Sequence, residues 1–355
     1  LSKKTILVAP LHWGLGHATR CIPIVQELLK NNFNVLLASD GAALLLLQKE
    51  FPQLPSIALP PYNIVYPKKG KNFKWKLLQK LPHIQKTIIS EKKLIKTLVA
   101  EGKIDGIISD NRLGVFNKNV PSVFVTHQLN VLTGNTTYVT SKMHQKIIKK
   151  FDECWVPDVE APINLSGKLG HIKNADFPIK YIGALSRLQK KEAPKKYDIL
   201  AVLSGPEPQR TLLEEKLLEA FKGTDKSVLL VQGLVSMNQK SYVLDGISIT
   251  NFMQTEQLEE AINQSEIVIS RSGYTTLLDL AALEKKAFFI PTPGQYEQKY
   301  LAKRLKSLGI VPSCKQDKFT LEKLHKIPLY KGLTAFGMET NFKELFGLFE
   351  RERKL

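Results

Sequence analysis

A chain of 355 residues that is 43% hydrophobic and 24% charged is too apolar to be disordered and long for one core, so two domains of roughly 150–200 residues are expected. No run approaches the ~18 apolar residues that a bilayer crossing needs, and Ser2-Lys3-Lys4 leads straight into a strand-like run with no signal-peptide core, so the expected location is cytoplasmic. The three cysteines, Cys21, Cys154 and Cys314, are odd in number and far apart, which speaks against a disulfide framework or a CxxC metal site; the net charge of +18 points to nucleic acid, an anionic membrane surface or an anionic substrate.

Thr5–Pro10 (TILVAP) is a short apolar run ending at a turn, the pattern of a buried parallel strand. A helix follows over Ala18–Lys30, with Ile22, Val25, Leu28 and Leu29 on one face, then a strand at Asn34–Ser39 and a helix from Asp40-Gly41 through Leu47. Between Lys68 and Lys103 eleven lysines stand against Glu91 and Glu101, interleaved with Phe73, Trp75 and periodic leucines and isoleucines. That mixture suits a lipid headgroup region, while the plainer reading is a solvated helix face with an ordinary core side. Further strands are expected at Ile104–Ser109, Ser122–Thr126, Cys154–Val156 and Lys180–Ile182.

The polar stretch Leu188–Lys196 (LQKKEAPKK) separates this series from a second one and reads as a linker. Strands are expected at Asp198–Leu203, Val228–Gln232, Ile247–Thr250, Glu266–Ile269 and Ala287–Ile290, with helices at Thr211–Phe221, Thr255–Asn263, Thr275–Leu283 and Gln298–Leu308. Strands alternating with helices imply parallel sheets covered on both faces, hence an α/β chain of two doubly wound, Rossmann-like domains facing across a cleft. The expected boundaries are 1–187 for the first domain, 188–196 for the linker, 197–335 for the second domain, and 336–355 for a terminal helix that packs back on the first.

Ligands of doubly wound sheets bind beyond the carboxyl ends of the strands, so the loops there carry the chemistry. After the first strand comes Trp13-Gly14-Leu15-Gly16-His17-Ala18-Thr19-Arg20. The glycines of this loop allow a tight turn and close ligand approach, and the next helix presents its N-terminus. The loop is a near-match to GxGxxG with Thr19 at the third glycine and only Asp40 as a distant ribose-binding acid, which is weak support for a dinucleotide oxidoreductase. His17, whose imidazole can take a proton from an attacking hydroxyl, is a candidate base; otherwise it is a helix N-terminal residue bonded to nearby backbone.

Ile269-Ser270-Arg271-Ser272-Gly273-Tyr274-Thr275-Thr276 combines hydroxyls, a glycine turn and a helix start into a metal-free phosphate cradle, with Arg271 adding charge and Asp279 in reach of a ribose. Pro291-Thr292-Pro293-Gly294-Gln295-Tyr296-Glu297-Gln298 sets amides and a carboxylate at a helix start, where they suit sugar hydroxyls or merely cap the helix. Ser204-Gly205 follows the first strand of the second half and fits another phosphate contact.

The order Gly16-His17, Ser204-Gly205, Ser270-Arg271-Ser272-Gly273 with Asp279, then Pro291 through Gln298 resembles the GT-B glycosyltransferases of family 28, which include the N-acetylglucosaminyltransferase that makes lipid II. The resemblance spans nearly the whole chain and is more specific in its second half. It implies a nucleotide-sugar donor, UDP-linked, held by the second domain, with Phe252 and Met253 at the base, Ser204, Gly205, Ser272, Gly273 and Thr275 at the phosphates, Asp279 at the ribose, and Gln295 and Gln298 at the sugar. It also implies an acceptor on the first domain, an inverting reaction, and neither a cofactor nor a metal. Departures lie on both the donor and the acceptor side. The loop reads Trp-Gly-Leu-Gly-His, Asp279 replaces the more common Glu, and Asp110-Asn111-Arg112 and Thr126-His127-Gln128 stand where the lipid II enzyme has other residues. His127 is thus a second candidate base, Gly14, Gly16, Asp110 and Asn111 are acceptor-side candidates, and the acceptor, lipid-linked or glycan, stays open. A peripheral position at the inner membrane face, through the 68–103 segment, accompanies this reading. The rivals are a nucleotide-sugar 2-epimerase, which needs no acceptor, and a non-catalytic nucleotide-sugar or lipid binder. Nucleic acid is suggested by charge alone, without a supporting motif.

Overall fold

The computed structural model describes residues 3–63, 73–205, 207–333 and 340–350, the side chains of 73–80 excepted. The part of the lysine-rich segment from Lys68 to Lys80, including Trp75, therefore lies outside the residues whose side chains are described, as does Pro206. The described residues divide into two compact units, one within Leu1–Ile64, Leu77–Leu185 and Met338–Leu355, the other within Val65–Lys76 and Ser186–Gly337.

Unit 1 runs β1 (Thr5–Pro10), α1 (Gly16–Lys30), β2 (Asn34–Ser39), α2 (Gly41–Glu50), β3 (Ser56–Ala58), α3 (Phe73–Ala100), β4 (Gly106–Asp110), β5 (Ser122–Val125), α4 (Thr137–Ile148), β6 (Glu153–Val156) and β7 (Ile179–Tyr181). Its sheet has the order β3-β2-β1-β4-β5-β6-β7 with every pairing parallel. Alternation along β1 explains why both faces are covered: Ile6 and Val8 enter the core under α1 and α2, whereas Leu7 and Ala9 join Ile95 and Leu98 of α3 on the other side. The strand order reverses at β1 and β4, and ligands of such sheets bind beyond that point. β4 starts two residues later than expected because Asp105 meets β1 with its side chain, accepting from the Thr5 amide at 2.7 Å; the strand then ends on Asp110, opposite Pro10.

Unit 2 runs β8 (Tyr197–Val202), α5 (Gln209–Phe221), β9 (Val228–Val231), β10 (Ser241–Leu244), β11 (Ile247–Thr250), α6 (Thr255–Asn263), β12 (Ser265–Ser270), α7 (Tyr274–Ala282), β13 (Lys286–Phe289) and α8 (Tyr296–Ser307). The sheet order is β10-β11-β9-β8-β12-β13, parallel except for the β10–β11 hairpin. That hairpin turns at Asp245-Gly246, both with positive φ (48° and 81°), the two-residue turn that matches strand twist. The 188–196 stretch, expected as a linker, runs along unit 2. Leu188 is buried, the Gln189 amide donates to Glu259 at 2.7 Å, and the Lys191 amide donates to Asn263 at 3.2 Å.

The terminal helix α9 (Phe342–Glu350) belongs to unit 1. Leu345, Phe346 and Phe349 enter the core beside Trp155 and Phe33, with Phe33 edge-on to Phe346 at 5.9 Å between centroids. Gly106 of β4 makes room: a Cβ there would stand 2.5 Å from the Phe349 ring. No described helix is long and apolar enough to cross a membrane.

Candidate functional site

In unit 1 the carboxyl ends of β1, β4 and β5 bring together four side chains. Asp110 ends β4, His17 and Arg20 sit one turn apart in the first two turns of α1, and His127 lies two residues beyond β5. Asp110 and Arg20 are fully buried, and both guanidinium Nε and Nη2 donate to the two carboxylate oxygens, a bidentate pair. Burial alone would raise the carboxyl's pKa, but Arg20 and then His17 outweigh it and hold Asp110 well below the usual range. It is a carboxylate, so it only accepts.

Those partners orient both imidazoles. His17 Nδ1 lies 2.8 Å from Asp110 Oδ1, which can only accept, so Nδ1 carries the proton and donates it; the 3.0 Å approach of Arg20 Nη2, which donates one of its two protons to Asp110 Oδ1, is then a contact and not a hydrogen bond. Nε2 of His17 is left with a lone pair and no partner among the described residues, on a side chain 17% exposed. His127 is arranged the other way. Its Nδ1 lies 2.7 Å from Arg20 Nη1, which can only donate, so Nδ1 accepts, and its Nε2 lies 3.5 Å from the Gln128 side-chain nitrogen, itself a donor. The two candidate bases are therefore distinct: Nδ1 of His17 faces a carboxylate, whereas Nδ1 of His127 faces a guanidinium. Asn111, at positive φ (59°), donates to Asp110 Oδ1 at 3.1 Å, and Gly14 takes φ +84° with open space where a side chain would stand. Gly16 opens α1 and accepts from Thr19 Oγ1 at 3.0 Å. Arg20, which joins all of these, carried no role in the sequence reading; its signal was the i, i+3 spacing from His17.

A second buried web stands beside it. Arg112 donates to Glu91 at 2.7 Å, to Asp40 at 2.8 Å and to the Pro60 carbonyl at 2.7 Å, while Tyr62 donates to Glu91 at 2.7 Å. Asp40, considered above as a ribose acid, is occupied by Arg112 and by His12 Nδ1 at 3.1 Å. Burial raises the Glu91 pKa against the pull of Arg112.

In unit 2 the predicted donor residues all follow the carboxyl ends of parallel strands. Ser204-Gly205 follows β8, with Gly205 at φ +99°; Phe252 and Met253 follow β11, Phe252 buried and Met253 half-buried. Arg271, just past β12, is fully buried and donates to the carbonyls of Ile290 (3.1 Å) and Gln209 (2.6 Å). Burial pushes its pKa down to about 9. It staples the ends of β12 and β13 to α5 instead of lining the turn. Ser272 is likewise buried, its hydroxyl donating to the Gln298 carbonyl at 2.8 Å, and Gln298 Oε1 accepts from the Thr292 amide at 2.7 Å. These bonds lock the β12 and β13 loops together. Gly273 is the N-cap of α7 without a side-chain cap, so the turn presents backbone, and Thr275 lies in the first helical turn. Gln295 is the N-cap of α8. Asp279, one turn after Thr275 on α7, accepts from Ser186 Oγ at 2.8 Å. Its pKa is raised to about 6 by burial, against the opposing pull of Arg187 and Ser186. Among the described residues no group of three or more His, Cys, Asp and Glu side chains could hold a metal ion.

Residues 201–330 match the glycosyltransferase family 28 C-terminal domain. The chain is similar to the UDP-N-acetylglucosamine–N-acetylmuramyl-(pentapeptide) pyrophosphoryl-undecaprenol N-acetylglucosamine transferase of Haemophilus ducreyi, 23% identical over 97% of this chain and 95% of that one. It is also similar to an uncharacterized glycosyltransferase of Methanopyrus kandleri, 21% identical over 80% of this chain and 85% of that one. Among solved structures, the MurG of Acinetobacter baumannii superposes with a TM-score of 0.54 at 14% identity, covering 99% of this chain and 100% of that one. The glycotransferase of kitacinnamycin superposes with a TM-score of 0.61 at 12% identity, covering 98% and 94%. These structural likenesses show the fold, two Rossmann-like units of the GT-B kind. Residues 201–330 thus carry a glycosyltransferase family 28 C-terminal domain, and the chain is a glycosyltransferase of GT-B fold.

Proposed function

We propose that this glycosyltransferase moves a hexose, N-acetylglucosamine in the first instance, from a UDP-linked donor to an acceptor hydroxyl, with inversion and without a catalytic metal. The observation that carries it is His17: Asp110 holds its Nδ1–H, and Nε2 is left to take a proton. The acceptor oxygen attacks the anomeric carbon as its proton passes to Nε2, the bond from that carbon to the diphosphate oxygen breaks, and UDP leaves with the electron pair. Asp110 and its bidentate Arg20 keep the imidazole oriented, and the carboxylate stabilises the imidazolium that forms. His127, tied to Arg20, orients the acceptor beside Gly14, Gly16 and Asn111 instead of acting as base. In unit 2 the Ser204-Gly205 and Ser272-Gly273 turns and the N-terminus of α7 at Thr275 offset the diphosphate charge. Phe252 and Met253 flank the uracil, Asp279 accepts from the ribose hydroxyls, and Gln295 and Gln298 meet the sugar. Arg271 acts at one remove, by holding the phosphate turn in place.

The acceptor is lipid-linked or a glycan, and unit 1 meets an anionic lipid surface as a peripheral contact. Exposed Ile89 on α3 and Tyr138, Val139 and Met143 on α4 support this, being interspersed with Lys86, Lys93, Lys142 and Lys146; Lys92 and Lys146 lie near enough to Lys150 to lower its pKa further than burial alone does.

Incubation with UDP-N-acetylglucosamine in the presence of EDTA and a panel of glycan and lipid-linked acceptors tests the transfer. His17→Ala is expected to lower turnover by about 10²–10⁴-fold with the UDP dissociation constant unchanged. Wild-type turnover in that variant removes His17 as base, and release of the manno epimer from donor alone replaces transfer by epimerisation.

A further inference from the structure

Arg112, Asp40 and His12 repeat the arrangement of Arg20, Asp110 and His17. In each, a fully buried arginine pairs with a carboxylate that also meets Nδ1 of a histidine, through an oxygen shared with the arginine at Asp110 and through the other oxygen at Asp40. Both histidines come from the β1–α1 segment, and β4 with its following turn supplies the acid of one set and the arginine of the other. Asp40 Oδ1 accepts from Arg112 at 2.8 Å and Oδ2 lies 3.1 Å from His12 Nδ1. The Nδ1 of His12 therefore carries the proton, and Nε2 has the lone pair.

Two features show that His12 is held in this pose. Asp40 is the N-cap of α2, a position where the carboxylate ordinarily accepts a first-turn amide; here it makes no capping bond and turns to His12 and Arg112 instead. The His12 ring also lies against Gly41, at φ +52°: a Cβ there would stand 2.3 Å from Cε1 and 2.5 Å from Nδ1, so a larger residue would displace the ring from this pose. Behind it the Arg112–Glu91–Tyr62 web is buried, with Glu91 desolvated. Such a web costs free energy to build, and the His12 side chain, 32% exposed, is where it reaches solvent. Nε2 of His12 has no partner among the described residues.

We propose that His12, oriented by Asp40, Arg112 and Gly41, is an acceptor-binding residue whose Nε2 accepts a hydrogen bond from a second hydroxyl of the acceptor, so that the acceptor group is a polyol such as a sugar ring. A neutral Nδ1–H imidazole offers a lone pair alone, which selects an O–H donor over a bare phosphate or an ether. The proposal rests on unit 1 being the acceptor unit and His17 the base.

The test is nuclear magnetic resonance of the full chain with ¹⁵N-labelled histidine, titrated with methyl β-D-glucopyranoside and, separately, with inorganic phosphate. At a pH where both rings are neutral, His12 and His17 are expected as Nδ1–H tautomers, and the glycoside is expected to shift Nε2 of both. His12→Phe keeps a ring over Gly41 and removes Nε2. It should weaken the glycoside's dissociation constant read at His17 by about threefold to tenfold, the worth of one neutral hydrogen bond. Should His17 respond and His12 stay still, or His12→Phe bind as wild type, the His12 site is overturned and the base reading survives. A response of His12 to phosphate but not to glycoside overturns the polyol assignment. Silence at both histidines overturns the acceptor unit itself, and His12 with it.

Discussion

At Asp110 a carboxylate, a guanidinium and an imidazole meet in one buried spot, and His127 joins through the guanidinium. Removing the negative charge takes the counter-charge from the buried Arg20. Asp110→Asn is therefore expected to cost roughly 3–5 kcal/mol of stability, read from urea unfolding, and to lose turnover as His17 loses its enforced tautomer. Because Asp110 is held below the ordinary carboxylate range, its contribution is present at neutral pH and is lost only as pH falls through that lowered value. Asp279 has the opposite sign. Its folded-state pKa, about 6, lies above the value in an unfolded chain, so the cost of ionising it in the fold sets in as pH rises from the usual carboxylate range through 6. A ribose that needs the carboxylate must then bind better as pH rises. UDP affinity measured by calorimetry is expected to increase between pH 5 and 7, and Asp279→Asn to flatten that dependence; a pH-independent wild type removes Asp279 from the ribose. The residues that sequence reasoning missed, Arg20, Arg112 and His12, lie in or next to the stretches it quoted, but no spacing rule told that Arg20 would reach from α1 to the end of β4.

Among the elements, α9 shows how a nine-residue helix is held. Leu345, Phe346 and Phe349 lie on one face and bury against Phe33 and Trp155, and Lys4 Nζ donates to the Phe349 carbonyl at 2.8 Å. Too short to be stable alone, the helix depends on that packing. Phe349→Ala should cost about 3–5 kcal/mol, measured as a lowered denaturation midpoint, whereas the exposed Lys343→Ala should stay within about 0.5 kcal/mol. Long periodic or strongly apolar elements were legible: β1, β2, β11 and α6 fall on their expected residues, and most other ends shift by one or two. β3, α4 and β10 were not. β3 has two half-buried residues and an exposed one, α4 opens on β-branched and hydroxyl residues with a weak apolar stripe, and β10 is exposed throughout, so alternation gave no signal. The Asp245-Gly246 pair was the available clue to the β10 hairpin.

For the molecule as a whole, the two units divide the proposed labour, and the division is measurable. If unit 2 alone holds the nucleotide, UDP at one hundred times its dissociation constant should stabilise the protein by about 2.7 kcal/mol. Protection from hydrogen exchange should then gather in the loops after β8, β11, β12 and β13; equal protection in unit 1 would contradict the division. The +18 net charge belongs to this scale too. Binding to phosphatidylserine vesicles, followed by sedimentation, should fall steeply as salt rises past the Debye regime, and substituting Lys86, Lys93, Lys142 and Lys146 should weaken it by up to about 1 kcal/mol per lysine. Binding insensitive to salt would leave the basic surface without that role.

By itself the sequence determined the alternation of strands and helices, the break between two series, and the glycine, serine and glutamine loops at strand ends, because these follow from local periodicity and turn chemistry. The tertiary structure alone decided which histidine meets a carboxylate through Nδ1, that Arg271 and Ser272 tie loops together, and that Asp40 forgoes its cap for His12. Each of those depends on a partner brought up by the folding of distant segments, Asp110 to His17 across 93 residues and Ser186 to Asp279 across another 93, and no local pattern encodes which proton such a partner takes or gives.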